Sequence, residues 1–74
     1  MSEFAELVYS QVTDEWQSTP EINARLGLRK HQNLRNQMRH VYRHLSKYMD
    51  YGMVEKRVVP GGPSGRICQW RRSE

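Results

Sequence analysis

The segment from Leu34 to Asp50 limits what this chain can fold into more than any other. Leu34, Met38, Val41, Leu45, Tyr48 and Met49 step by three, four and one residue, so they share one side of a 3.6-residue helix, and neither Gly nor Pro interrupts them. The spacing predicts an amphipathic helix from about His31 or Gln32 to Asp50, stopped by Gly52. Its apolar stripe needs partners, and a chain of 74 residues has few to offer. A domain of this size buries only roughly 60% of the surface that its unfolded form exposes. One domain over residues 1–74 is therefore expected, with a core drawn from Phe4, Leu7, Val8, Trp16, Ile22, Leu26, Leu34, Met38, Val41, Leu45 and Trp70.

The remaining elements follow from local signals. Phe4, Leu7, Val8 and Val12 recur at helical spacing after Ser2, a good N-cap, with Glu3 and Glu6 where a helix dipole favours acids; a first helix over residues 2–16 is expected. Ser18-Thr19-Pro20-Glu21 is a helix start, with a capping hydroxyl ahead of a Pro that can occupy the first turn. The short helix that follows should turn Ile22, Ala24 and Leu26 inward and end at Gly27. Beyond Gly52 the period changes. Residues 53–59 and 66–72 are strand candidates around the turn-rich tip at residues 60–65, which together predict an antiparallel hairpin. The expected fold is mainly α with a small β-hairpin.

Charge is unevenly placed. Residues 1–28 hold five acids against Arg25, a net of −4, whereas residues 29–74 hold eleven basic residues against three acids, a net of +8. Nine of the twelve cations are Arg, whose planar fork suits phosphates and guanine edges, so the basic part points to a polyanionic partner rather than to solubility alone. On the third helix, Gln32, Asn36, Arg39 and Arg43 fall opposite the apolar stripe, flanked by Arg35, His40 and Lys47. Arg pairs bidentately with guanine, and Asn or Gln with adenine, so this face carries the side chains that base readout needs. A face that is only solvated would mix Glu with Lys, and this one has no acid before Asp50. On the hairpin, Arg57, Arg66, Arg71 and Arg72 flank a tip whose glycines allow close approach of a backbone to a phosphate.

Helix, short helix, long basic helix and hairpin is also the order of a known family. Thr19-Pro20-Glu21-Ile22 through Leu26-Gly27 resembles the bracing helix of winged helix-turn-helix regulators. Val41-Tyr42-Arg43-His44-Leu45 followed by Tyr51-Gly52-Met53-Val54-Glu55-Lys56-Arg57 resembles the end of their recognition helix and the start of their wing. The resemblance implies three helices plus a C-terminal wing, with the third helix in a major groove and the wing on phosphates or the minor groove. Residues 28–40 depart from it by being longer than the family's usual connection. The candidate DNA-contacting residues are Gln32, Arg35, Asn36, Arg39, His40, Arg43, Lys47, Arg57 and Arg66.

Other chemistry has little support in the sequence. His40 and His44 have the i, i+4 spacing of metal ligands but lack evident third and fourth partners, and Cys68 is the one thiol, so neither a metal nor a disulfide is expected. Cys68 alternates with Trp70 and is expected to be buried with it; Tyr42, at the edge of the stripe, suits either a phosphate contact or a cover over the core. With no Ser/His/Asp set, carboxylate pair or phosphate loop, no enzyme activity, cofactor or small-molecule substrate is expected. No apolar run is long enough to span a membrane, and the expected setting is cytoplasmic, with the nucleoid. The expected function is therefore duplex-DNA binding, as in a transcription regulator, with a homodimer across two half-sites left open. Two alternatives remain: a protein-interaction module within a larger assembly, and a binder of structured RNA.

Overall fold

The computed structural model describes residues 2–29 and 31–73. The chain order is α1 (Glu3–Gln11), β1 (Gln17–Ser18), α2 (Thr19–Leu26), α3 (Leu34–Asp50), β2 (Val54–Pro60) and β3 (Arg66–Arg72). The strands form one antiparallel sheet in the order β1-β3-β2, so the described residues make a small mixed α/β domain of three helices and a three-stranded sheet. The hairpin of β2 and β3 is as expected. The third strand is not: β1 is two residues long, too short to leave a periodic signal, and it exists by pairing Gln17 with Trp70 and Ser18 with Gln69.

Local chemistry sets the helix ends. The Ser2 hydroxyl accepts the Ala5 N–H at 3.2 Å, with Glu3 and Glu6 in the first turn. α1 ends at Gln11, not at Trp16, because Val12 is already extended (φ −81°, ψ 129°). Its last carbonyls are satisfied from far along the chain: Arg72 Nε donates to Val12 O at 2.7 Å and Arg72 Nη2 to Tyr9 O at 3.2 Å, a cation at the negative end of the helix. At α2, Ser18 accepts the Glu21 N–H and the Glu21 carboxylate accepts the Ser18 N–H, a full capping box with Pro20 in the first turn. Gly27 closes α2 at φ +67°, a conformation that favours glycine.

The core joins all three helices to the sheet. Val8, Val12, Ile22, Val41, Leu45, Tyr48, Val54 and Trp70 are buried in one cluster, on which Phe4 and Leu7 pack half-buried. Two buried hydrogen bonds tie distant elements through it: Trp70 Nε1 donates to Thr19 Oγ1 at 2.9 Å, and the Tyr48 hydroxyl to Ala5 O at 2.8 Å. Four core assignments differ from expectation. Leu34 is 44% exposed, because α3 begins there, behind an Asn33 N-cap, and the inward position one turn later belongs to Gln37. Met38 is only half-buried, beside Gln37. Ala24 faces solvent and Asn23 is buried in its place. Trp16 lies past the end of α1 and packs against two cations, Arg57 and Arg71, each guanidinium carbon 4.5 Å from its ring centroid.

Candidate functional site

An open groove of about 1000 Å³ lies between the start of α2, one flank of α3 and the hairpin tip. Ser18 to Glu21 form one wall; Arg35, Met38, Arg39 and Tyr42 form the second; Gly62 to Ser64 and Arg66 to Gln69 form the third. The groove thus brings together three of the candidate residues, Arg35 and Arg39 from α3 and Arg66 from the hairpin, all exposed. Its one acid, Glu21, is already committed to its capping box. The one ion pair among the described residues is Arg71 with Glu55 at 2.9 Å, so none of the groove arginines is held by a carboxylate there.

The other candidates lie elsewhere. Arg43 and Lys47 are exposed further along α3 and do not line the groove. Gln32 precedes α3 rather than belonging to it, and its Oε1 accepts the Asn36 Nδ2 at 3.1 Å, which holds the half-buried Asn36 side chain over the first turn. His40 stacks on His31, with ring centroids 4.3 Å apart, so it is half-buried beneath the turn that leads into α3.

Three of the four hairpin arginines hold the fold together. Arg57, on the strand face opposite Lys56 and Trp70, donates from Nε to Gln69 Oε1 at 2.6 Å and stacks on Trp16. Arg71 stacks on the same ring and pairs with Glu55; Arg72 caps α1. Arg66 alone of the four is at the tip. The tip glycines answer to the turn itself: at Gly61, φ is +142° and a Cβ would lie 2.8 Å from the Ile67 side chain. Cys68 is half-exposed in the groove rather than buried with Trp70. Tyr42 covers the core edge, its ring edge-on to Trp70, and its hydroxyl accepts from Lys56 Nζ at 3.0 Å, which raises the Lys56 pKa.

Behind the groove is a polar junction that sequence reasoning missed. Gln37 is fully buried and makes four hydrogen bonds. Its Nε2 donates to Asn23 Oδ1 at 2.9 Å and to Gly27 O at 2.8 Å; its Oε1 accepts the Arg29 N–H at 2.8 Å and faces His31 Nδ1 at 3.3 Å. Gly27 O can only accept and the Arg29 N–H can only donate, which fixes the amide's orientation and requires His31 to carry its hydrogen on Nδ1. Asn23 Nδ2 donates in turn to Leu34 O at 2.8 Å. No buried side-chain N or O among the described residues lacks a partner. One signal for this was available: Gln37 is four residues before Val41, in register with the stripe.

On the far flank of α3, Phe4 meets His31 edge-on at 4.9 Å and His44 at 5.6 Å, and His31 in turn stacks on His40. Partial removal from water lowers the pKa of His40, helped by His31, Arg43 and Arg39; the same cause lowers that of His44, helped by Lys47 and its neighbours. Among the described residues, no group of three or more His, Cys, Asp or Glu is placed to hold a metal ion. Nor is any helix among them long and apolar enough to cross a membrane. Compared with family models, curated proteins and solved structures, the chain matches none.

Proposed function

We propose that this chain is a winged helix-turn-helix domain that binds duplex DNA, in the manner of a transcription regulator, with α3 as recognition helix and the β2–β3 hairpin as wing. Support for the fold reading comes from the order of elements and from the sheet order β1-β3-β2, in which the short strand between α1 and α2 closes the hairpin's inner edge. The observation that carries the functional reading is the groove that gathers Arg35, Arg39 and Arg66 from two separate elements, with no carboxylate pairing them. Unpaired arginines on neighbouring elements suit a rigid polyanion that can meet both at once. In this reading Arg35 and Arg39 face base edges, Arg43 and Lys47 follow the phosphate backbone, and Arg66 meets a phosphate or the adjacent groove. His40, beneath His31, and Arg57, stacked on Trp16, are given no contact. The reading assigns no catalysis and no cofactor, and it would place the protein with the nucleoid.

The experiment is selection from a randomised duplex DNA pool, followed by competition of the selected duplex against a scrambled DNA and a duplex RNA. The reading expects enrichment of one short sequence and preference for DNA. Preference for duplex RNA would favour the structured-RNA alternative, and absence of salt-sensitive binding to either would favour a protein partner for this groove.

A further inference from the structure

We infer that Gln37 is a positioning residue for sequence readout: through its buried amide it fixes α3 against α2, and so sets the width of the groove in which Arg35 and Arg39 are presented. The inference rests on the DNA reading above. The two walls of the groove, the start of α2 and the flank of α3, belong to helices that meet at this junction. There the contacts are directional. Gln37 reaches from α3 to Asn23 and Gly27 of α2, and Asn23 reaches back to the carbonyl of Leu34, the first residue of α3. The same amide takes the Arg29 N–H, which holds the first part of the long connection between the helices.

A buried apolar residue at this point would fill the space and tolerate small rotations. A saturated amide does not, because any slip leaves a donor or acceptor unpaired away from water. Arg35 and Arg39 lie on either side of Gln37 along α3, within a turn of it. A small rotation of the helix about its axis would therefore move both guanidinium groups relative to a base edge. Phosphate contacts are less demanding of position, so disruption of the junction should erode selectivity before it erodes general affinity.

The test compares Gln37→Met, which keeps the side chain's length and removes its polar atoms, with His31→Phe, which keeps a ring against Phe4 and His40 and removes one hydrogen bond. Binding to the selected duplex and to a scrambled duplex is measured alongside amide hydrogen exchange. For Gln37→Met the ratio of the two affinities should fall at least about tenfold, the scale of a misread base pair, while affinity for the scrambled duplex stays within about twofold. The Arg29 amide should exchange at least about tenfold faster while those of Val41 and Leu45 stay protected. His31→Phe, which leaves the buried part of the junction intact and so keeps the test available if Gln37→Met does not fold, should lower selectivity by about threefold. Folded variants that keep wild-type selectivity overturn the inference alone. A wild-type chain that selects no duplex overturns the DNA reading and the role of Gln37 with it.

Discussion

The centre of the molecule and the α2–α3 junction are held by opposite means. At the centre, Val8, Ile22, Val41, Leu45 and Trp70 meet through carbon surface, fully buried. At the junction, Gln37 is as well buried and Asn23 nearly so, but every contact that matters is a hydrogen bond. Apolar packing supplies most of the stability of a small domain and is forgiving of direction. A buried polar network adds less net stability and admits one arrangement. The difference suggests a division of labour in which the centre keeps the chain folded and the junction keeps the arginine-bearing flank of α3 in place.

The largest effect should come from the centre. Leu45→Ala is expected to cost about 2–5 kcal/mol, from the missing transfer energy plus a cavity, and in a domain this small that removes much of the folded population. Chemical denaturation measures it; a destabilisation under about 1 kcal/mol would mean the site collapses around the gap and the centre is looser than described. Next in size is Asn23→Ala, which removes the side-chain bond to Leu34 O, leaves one Gln37 N–H unpaired, and should cost about 1–3 kcal/mol. This change sharpens the comparison, since solvent should reach the junction while hydrogen exchange at Val41 and Leu45 follows only the global destabilisation.

The smallest effect is a pH dependence beside the junction. His40 and His44 have lowered pKa values when folded, while the unfolded chain titrates near 6.5. The folded state thus binds fewer protons, so stability is full above about 6.5 and is lost as pH falls through the lowered folded values. Denaturation midpoints at about pH 7.5 and 5.5 should differ in that direction, and the double change His40→Gln with His44→Gln should reduce the difference.

The apolar half of this comparison was legible in the sequence. Val41, Leu45 and Trp70 stood out by type and period, as did the capping sequence at Ser18 and the turn at Gly27. The polar half was hidden, because periodicity counts apolar residues and passes over a Gln or Asn that is buried by virtue of its partners. Leu34 and Ala24 were misplaced for the same reason: polar Gln37 and Asn23 take the inward positions next to them. The candidate site was half-legible. Arg35, Arg39 and Arg66 are exposed and line one groove, but Arg57, Arg71 and Arg72 looked the same in the sequence. Only their partners Trp16, Glu55 and the end of α1, distant along the chain, reveal that they brace the fold.

Whether α3 and the hairpin tip together face duplex DNA is decided by a salt titration of binding for the wild type, Arg39→Ala, Arg66→Ala and Arg57→Ala. Arg66→Ala should weaken binding to all sequences and shrink the slope of log K against log salt by about 0.9 for each phosphate that is no longer neutralised. Arg39→Ala should cost about 1–3 kcal/mol on the selected sequence and little on a scrambled one. Arg57→Ala should leave affinity and slope as they were. Wild-type slopes and affinities for both Arg39→Ala and Arg66→Ala would remove this groove as the DNA-facing surface.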